Sequence, residues 1–359
     1  MEKILTLFKQ IIYLTFFVLF FFLIINFFVS ISWKLYSSYK LNKQNPFPEF
    51  VRSNFKISDE EQKILYIDTE KNIKFEFLPF LGAIPKNFKS KFVNFNFSEG
   101  RKTFNLGNCE KKILFLGGST TFGWLSIDNK TIPSEFSKII NKKFNNYCVY
   151  NYGLPSFYSE QENNLLKELN YRNIIKPDIA IFVDGINETC HGFTYDKAIS
   201  KQFDEIIVSH RTDLYKKKII PFLQSTPLFQ LLDRLLYSKK KDLAYRPSNC
   251  DDKKLNDLFI LRLKLRLQIC DELKVSCFTF LQPFGGINGN SYPFDLSHRY
   301  KKKYENFKQI PSNLLIDISN SLDSDKNKYS YVDPFHYSHK SNSLIANSIF
   351  KKIAYNLSN

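Results

Sequence analysis

No charged residue occurs between Lys9 and Lys34, and Ile11 to Ile31 reads IIYLTFFVLFFFLIINFFVSI. At about 1.5 Å per residue a helix of this length crosses a ~30 Å hydrocarbon layer, so the run predicts one transmembrane helix over about 11–31. Tyr13 and Trp33 stand near its two ends, where amphipathic rings settle, and flanking lysines reach the headgroups. A signal peptide has an apolar core of only ~7–15 residues and ends at a small-residue cleavage site. This run is longer and no A-x-A site follows, which favours a retained anchor. Lys3 and Lys9 precede the span, and Lys34, Lys40, Lys43 and Arg52 follow it. The positive-inside rule therefore does not itself export the C-terminal part. Long domains translocate largely regardless of charge, and the expected arrangement is an N-terminal anchor with an extracytoplasmic domain.

The 359 residues leave room for one large domain beyond this segment. With 43% apolar and 24% charged residues, a wholly disordered, collagen-like or disulfide-dense chain is excluded. Lys+Arg 51 against Asp+Glu 35 give a net charge of +16, which suits anionic surfaces or polymers. The lysine runs at 216–218, 239–241 and 301–303 come with no recognisable nucleic-acid module, so no nucleic acid is expected as a partner.

Three parts follow from the pattern: residues 1–33 with the membrane helix, a stalk or linker over 34–70 interrupted by Pro46 and Pro48, and a folded domain over 71–359. Alternation in IKFEFLPF and KFVNFNF predicts short strands, forming a small edge hairpin, with Gly100 at a turn. From Lys112 apolar runs alternate with helical stretches: ILFLGG then 131–144, CVYNYG then 158–173, IAIFVDG, VSCFTFLQP and LLIDIS, with a last helix from Ser338 to about Tyr355. This rhythm predicts a parallel sheet covered by helices. Residues 191–260 read as an insertion with a helix-like stretch near Ile219–Tyr237, followed by a helix around Lys253–Leu273.

In ILFLGGSTTFG an apolar strand runs into Gly117 and Gly118 and then Ser119, which places a hydroxyl beyond the carboxyl end of a strand, where ligands sit in open α/β sheets. The lysine of a phosphate-binding GxxxxGK[ST] loop is missing, and Thr121 breaks the GxSxG elbow. Two later strand ends offer donors for a developing oxyanion: the Gly153 N–H of Asn151-Tyr152-Gly153, and the Asn187 carboxamide of Gly185-Ile186-Asn187-Glu188. In Asp333-Pro334-Phe335-His336, an imidazole can take the Ser119 proton while Asp333 fixes its tautomer.

These four blocks, in this order over roughly residues 112–352, resemble the SGNH hydrolases, also called the GDSL esterase family, and the upstream KFVNFNFSEGRKTFN looks like the lead-in of its membrane-anchored bacterial members. The resemblance implies a flavodoxin-like α/β/α sandwich with a parallel sheet. It also implies a Ser119, His336, Asp333 triad, an oxyanion hole from Ser119, Gly153 and Asn187, and no metal or organic cofactor. The activity it implies is ester hydrolysis through an acyl-enzyme, here on a small acyl ester, a glycan or a lipid, such as an O-acetyl group in the envelope. An acyltransferase using the same serine and an inactive anchored binding module are the alternatives. The chain departs from the family at Gly118, where an Asp is usual, and at Glu188, where an Asp is usual.

Cys109 precedes the first sheet strand and Cys148 opens the second, which makes them a candidate disulfide, as are Cys190 and Cys250, whereas Cys270 and Cys277 read as core thiols. His191, His210, His298 and His339 lack the spacing of a zinc site and read as surface or structural residues, with His191 alone near a strand end.

Overall fold

The computed structural model describes residues 2–43, 45, 47, 49–52, 55, 57–107, 109–144, 146–189, 226–229, 231–232, 252–284, 297–322, 330–333 and 335–357. The chain divides into two compact units, one of Met1–Asn45 with Ala198–Ser248 and one of Pro46–Lys197 with Asn249–Asn359. In the first, helix α1 (Glu2–Lys43) runs well past the expected 11–31, and its apolar span covers Thr6–Tyr36. Its leucines and phenylalanines, among them Leu14, Phe16, Phe17 and Leu23, are exposed on every side, and the helix is long and apolar enough to cross a membrane. Two of its polar residues find partners: Thr15 donates to the Ile11 carbonyl, Asn26 donates to the Phe22 carbonyl, and the Asn26 oxygen accepts from the Leu228 N–H at 3.0 Å. The insertion and Ile219–Tyr237 otherwise lie almost wholly outside the described residues, as do Cys190, Cys250, His191 and His210.

The second unit begins earlier than the pattern predicts. Residues 46–70 are not a free stalk: Phe47, Phe55 and Leu65 are buried in the core, and α2 (Asp59–Ile67) starts at a capping box in which Ser58 and Glu61 satisfy each other's backbone N–H.

Strands β1 (Phe75–Leu78) and β2 (Gly82–Pro85) pair antiparallel as a separate hairpin. Next come β3 (Phe88–Lys89), β4 (Asn94–Asn96) and β5 (Gly100–Arg101), each antiparallel to its neighbour. Then β6 (Lys111–Gly117), β7 (Tyr147–Gly153), β8 (Ile179–Asp184), β9 (Ser276–Leu281) and β10 (Ile316–Asp317) run parallel. They form one eight-stranded sheet in the order β10-β9-β8-β6-β7-β5-β4-β3. The parallel part has the flavodoxin-like order 2-1-3-4-5, and its topological switch lies beside β6.

Helices α3 (Ser119–Phe122), α4 (Ile132–Asn141), α5 (Ser159–Tyr171), α6 (Asp252–Leu273), α7 (Ser297–Lys308) and α8 (His339–Leu357) complete the layers. Period two in β6 decides the faces. Ile113 and Phe115 pack with Phe136, Ile140, Ile345 and Ile349 of α4 and α8, while Leu114 and Leu116 pack with Leu165, Leu166 and Leu169 of α5. Both faces are buried, so the strands are apolar throughout. Fully burying each such side chain contributes about 1.5–3 kcal/mol.

Two disulfides join described cysteines. Cys109–Cys148 spans 5.0 Å between Cα atoms, as the sequence suggests. Cys270–Cys277 spans 6.2 Å and corrects the reading of these two as core thiols. The tight connection from α6 into β9 brings the helix end over the strand start, within bonding reach.

Candidate active site

Ser119 is the first residue of α3, which follows β6 after Gly118. His336 and Asp333 come from the segment before α8. The His336 Nε2 lies 2.8 Å from the Ser119 Oγ across 217 positions of sequence, and its Nδ1 lies 2.6 Å from the Asp333 Oδ2. The other Asp333 oxygen accepts from the backbone N–H groups of Phe335 and His336, both at 2.8 Å, so the carboxylate cannot turn away from the ring. Burial pushes the Asp333 carboxyl up, but the facing His336 charge, their hydrogen bond and the two amide N–H groups outweigh it and hold the group below its ordinary value. It is ionised at neutral pH, as a partner for an imidazolium must be.

Of the two further donors expected, the structure brings one to the site. Asn187 lies on the single turn after β8, and its Nδ2 donates to the Phe157 carbonyl at 2.6 Å, which orients the amide and leaves its second N–H for a ligand. A Cβ built on Gly118 would stand 2.2 Å from that same nitrogen. The missing side chain at Gly118 leaves the room that Asn187 occupies.

Gly153 is a correction. Its N–H donates to the Asn151 Oδ1 at 3.0 Å and is not free for an oxyanion. Gly153 serves packing instead: a Cβ there would meet the Phe122 nitrogen at 2.3 Å, so only glycine lets β7 approach α3. Ser119, opening its helix, keeps an N–H outside the intrahelical ladder.

A four-residue helix is too short to hold itself, and α3 is held from outside. The Arg101 side chain from β5 is wholly buried and donates to the carbonyls of Phe122, Gly123 and Ser126, and its Nε pairs with Asp128 at 3.1 Å. Asn151 adds a fourth donor, to the Phe122 carbonyl at 3.3 Å. These groups complement the negative end of α3. Thr120 donates to Gln282 at 2.6 Å, tying α3 to the end of β9. Trp124 lies with its ring 6.3 Å from the His336 ring, and its Nε1 donates to Glu70 at 2.6 Å. The sequence reading missed Arg101, Gln282 and Trp124. Trp124 alone carried a local signal, an aromatic five residues past the serine.

Beneath the Asn187 turn lies a second cluster of ionisable groups. Glu162, Asp184 and Glu188 are buried, with one oxygen from each within 4.8 Å of the others, an arrangement able to hold a cation. Arg266 supplies the positive charge there: it pairs with Asp184 at 2.7 Å and Glu162 at 3.0 Å and stacks on the Phe182 ring at 3.8 Å. Glu188 accepts from the N–H groups of Ser159 and Gly185, which closes the Asn187 turn. Burial, then the Asp184 charge, pushes Glu188 up to about 7 and Glu162 well above its ordinary value. His339, expected to be surface or structural, is buried at the start of α8 against Phe55, and burial pushes it down to about 3.

No protein-family model matches the chain, and no curated protein does. Solved structures do. An acetyl xylan esterase matches with 12% identity over 67% of this chain and 99% of its own, at a TM-score of 0.38. A putative GDSL-like lipase from Parabacteroides merdae matches with 13% identity over 70% and 97%, also at 0.38. An acetylxylan esterase from Geobacillus stearothermophilus matches with 14% identity over 68% and 95%, at 0.37.

Proposed function

We propose that this chain is a serine ester hydrolase of the SGNH type, held at a membrane by α1 and acting through an acyl-enzyme. The observation that carries the reading is the unbroken hydrogen-bonded line from Asp333 through His336 to the Ser119 hydroxyl. A serine is a weak nucleophile unless a base takes its proton, and a neutral imidazole with a fixed tautomer is that base.

The Ser119 Oγ attacks the ester carbonyl as its proton passes to the His336 Nε2, and Asp333 accepts the Nδ1–H and stabilises the imidazolium. Charge collects on the former carbonyl oxygen, where the Ser119 N–H and the free Asn187 N–H can each contribute about 3 kcal/mol in the transition state. The imidazolium protonates the departing alkoxide. Water then gives its proton to His336, attacks the acyl-Ser119 and releases the acid. No step needs a metal or an organic cofactor. The anchor favours an ester at the envelope, an O-acetylated glycan or a lipid, with the domain on the extracytoplasmic side.

A fluorophosphonate probe tests the nucleophile. Labelling of the intact protein at Ser119, abolished in Ser119→Ala, is the expected result; a folded protein that does not label would make the cleft a binding module. Product analysis on acetylated glycans with and without a sugar acceptor separates hydrolysis, the expected result, from acyl transfer.

A further inference from the structure

The β1–β2 hairpin stands apart from the central sheet and carries aromatic residues that the fold does not use. Phe75 and Phe77 lie on one face of β1 and are 43% and 38% exposed, while Phe80 at the tip is 72% exposed. Phe80 also has a φ of 66°, a left-handed conformation that a bulky side chain pays to adopt. Its ring gains no burial within the chain in return. Nor is the tip loose: the Phe80 carbonyl accepts from Asn164 at 3.3 Å and the Leu81 carbonyl from Gln161 at 2.7 Å, both on α5, and Leu81 and Ile84 are buried. The protein holds three phenylalanines out into its surroundings on a fixed support.

The charges around them point to one occupant. Between residues 71 and 89 the chain carries Lys71, Lys74, Lys86 and Lys89 against the single acid Glu76. All four lysines are exposed, and Lys74 and Lys86 face each other across the hairpin base, joined by a backbone hydrogen bond of 2.8 Å. An aromatic tip above a basic base has the chemistry of a bilayer surface, where rings enter the boundary between headgroups and acyl chains and ammonium groups meet lipid phosphates. The same chain carries an apolar helix that ends only about thirty residues earlier.

We propose that the β1–β2 hairpin is a second membrane contact, inserting Phe75, Phe77 and Phe80 into an anionic lipid interface while its lysines hold the headgroups. The inference leans on the anchor reading for α1, so its test scores the two separately. The full-length protein is reconstituted in vesicles containing phosphatidylglycerol, with the photoreactive residue p-benzoylphenylalanine in place of Phe80, of Phe21 in α1, or of the exposed Leu106 as background. A lipid adduct at position 80 at least fivefold above position 106, reduced several-fold in Lys74→Glu/Lys86→Glu or in vesicles of phosphatidylcholine alone, is the expected result. An adduct at 80 no stronger than at 106, or one formed to another protein chain, overturns the proposal. The adduct at 21 decides the anchor independently: lipid at 21 without lipid at 80 leaves the anchor standing and the hairpin contact refuted.

Discussion

Two sets of carboxylates lie near the carboxyl ends of the parallel strands, and they have opposite surroundings. Asp333 is part of a line that ends in the Ser119 hydroxyl: His336 beside it has one nitrogen on the acid and the other on that hydroxyl. Glu162, Asp184 and Glu188 form a buried cluster in which Arg266 pairs with Glu162 and Asp184 and two backbone N–H groups bond Glu188, and no nucleophilic side chain is bonded to these carboxylates among the described residues. Burial alone therefore does not mark a catalytic acid. What separates the two is whether the network has an unfinished end.

This contrast can be broken by substitution. Ser119→Ala or Asp333→Asn should cost at least about 10⁴-fold in turnover while leaving the unfolding midpoint nearly unchanged, because the line contributes chemistry rather than cohesion. Arg266→Met should do the reverse. It strands buried carboxylates and is expected to lower stability by about 3–5 kcal/mol in denaturant titrations, with fluorophosphonate labelling per folded molecule retained. Equal loss of labelling and of stability would show that the two networks act as one.

Arg101 lies between these extremes. Arg101→Met leaves the carbonyls of Phe122, Gly123 and Ser126 without their donor, so stability should fall by about 2–3 kcal/mol. Acylation of Ser119 should slow roughly 10–100-fold as α3 loses its alignment. Added guanidinium should restore the acylation rate in part if alignment is the cause.

A further test concerns pH. Burial pushes the Glu188 carboxyl up to about 7 in the folded protein, against ~4.3 when unfolded. The folded state then holds the extra proton, so this group's contribution to stability falls as pH rises from about 4.5 to 7 and is constant above. His339, pushed down to about 3, acts with the opposite sign: stability is lost as pH falls from about 6.5 toward 3. Thermal melts of Glu188→Gln against the parent, compared at pH 5 and pH 8, isolate the first term, and the parent should lose its advantage at the higher pH.

Much of this was legible in the sequence because it is written locally. The strands β6 to β9 are apolar runs closed by glycine or polar residues, and Ser119, Asn187, Asp333 and His336 each sit where such a run ends or where the last helix begins. What was not legible depends on distant partners. Nothing near Arg101 says that its guanidinium caps a helix about twenty residues on, and nothing in VYNYG says that Asn151 takes the Gly153 N–H. Residues 46–70 look like a stalk because prolines are visible locally, whereas the burial of Phe47 and Phe55 is visible only once the core exists.

The guanidinium from β5 sets a practical boundary. A shortened protein that starts at β6 would hold every residue of the proposed triad and all five parallel strands, yet its serine would ride on an uncapped turn. Any soluble version meant for biochemistry should therefore start no later than Pro46, where the second unit begins.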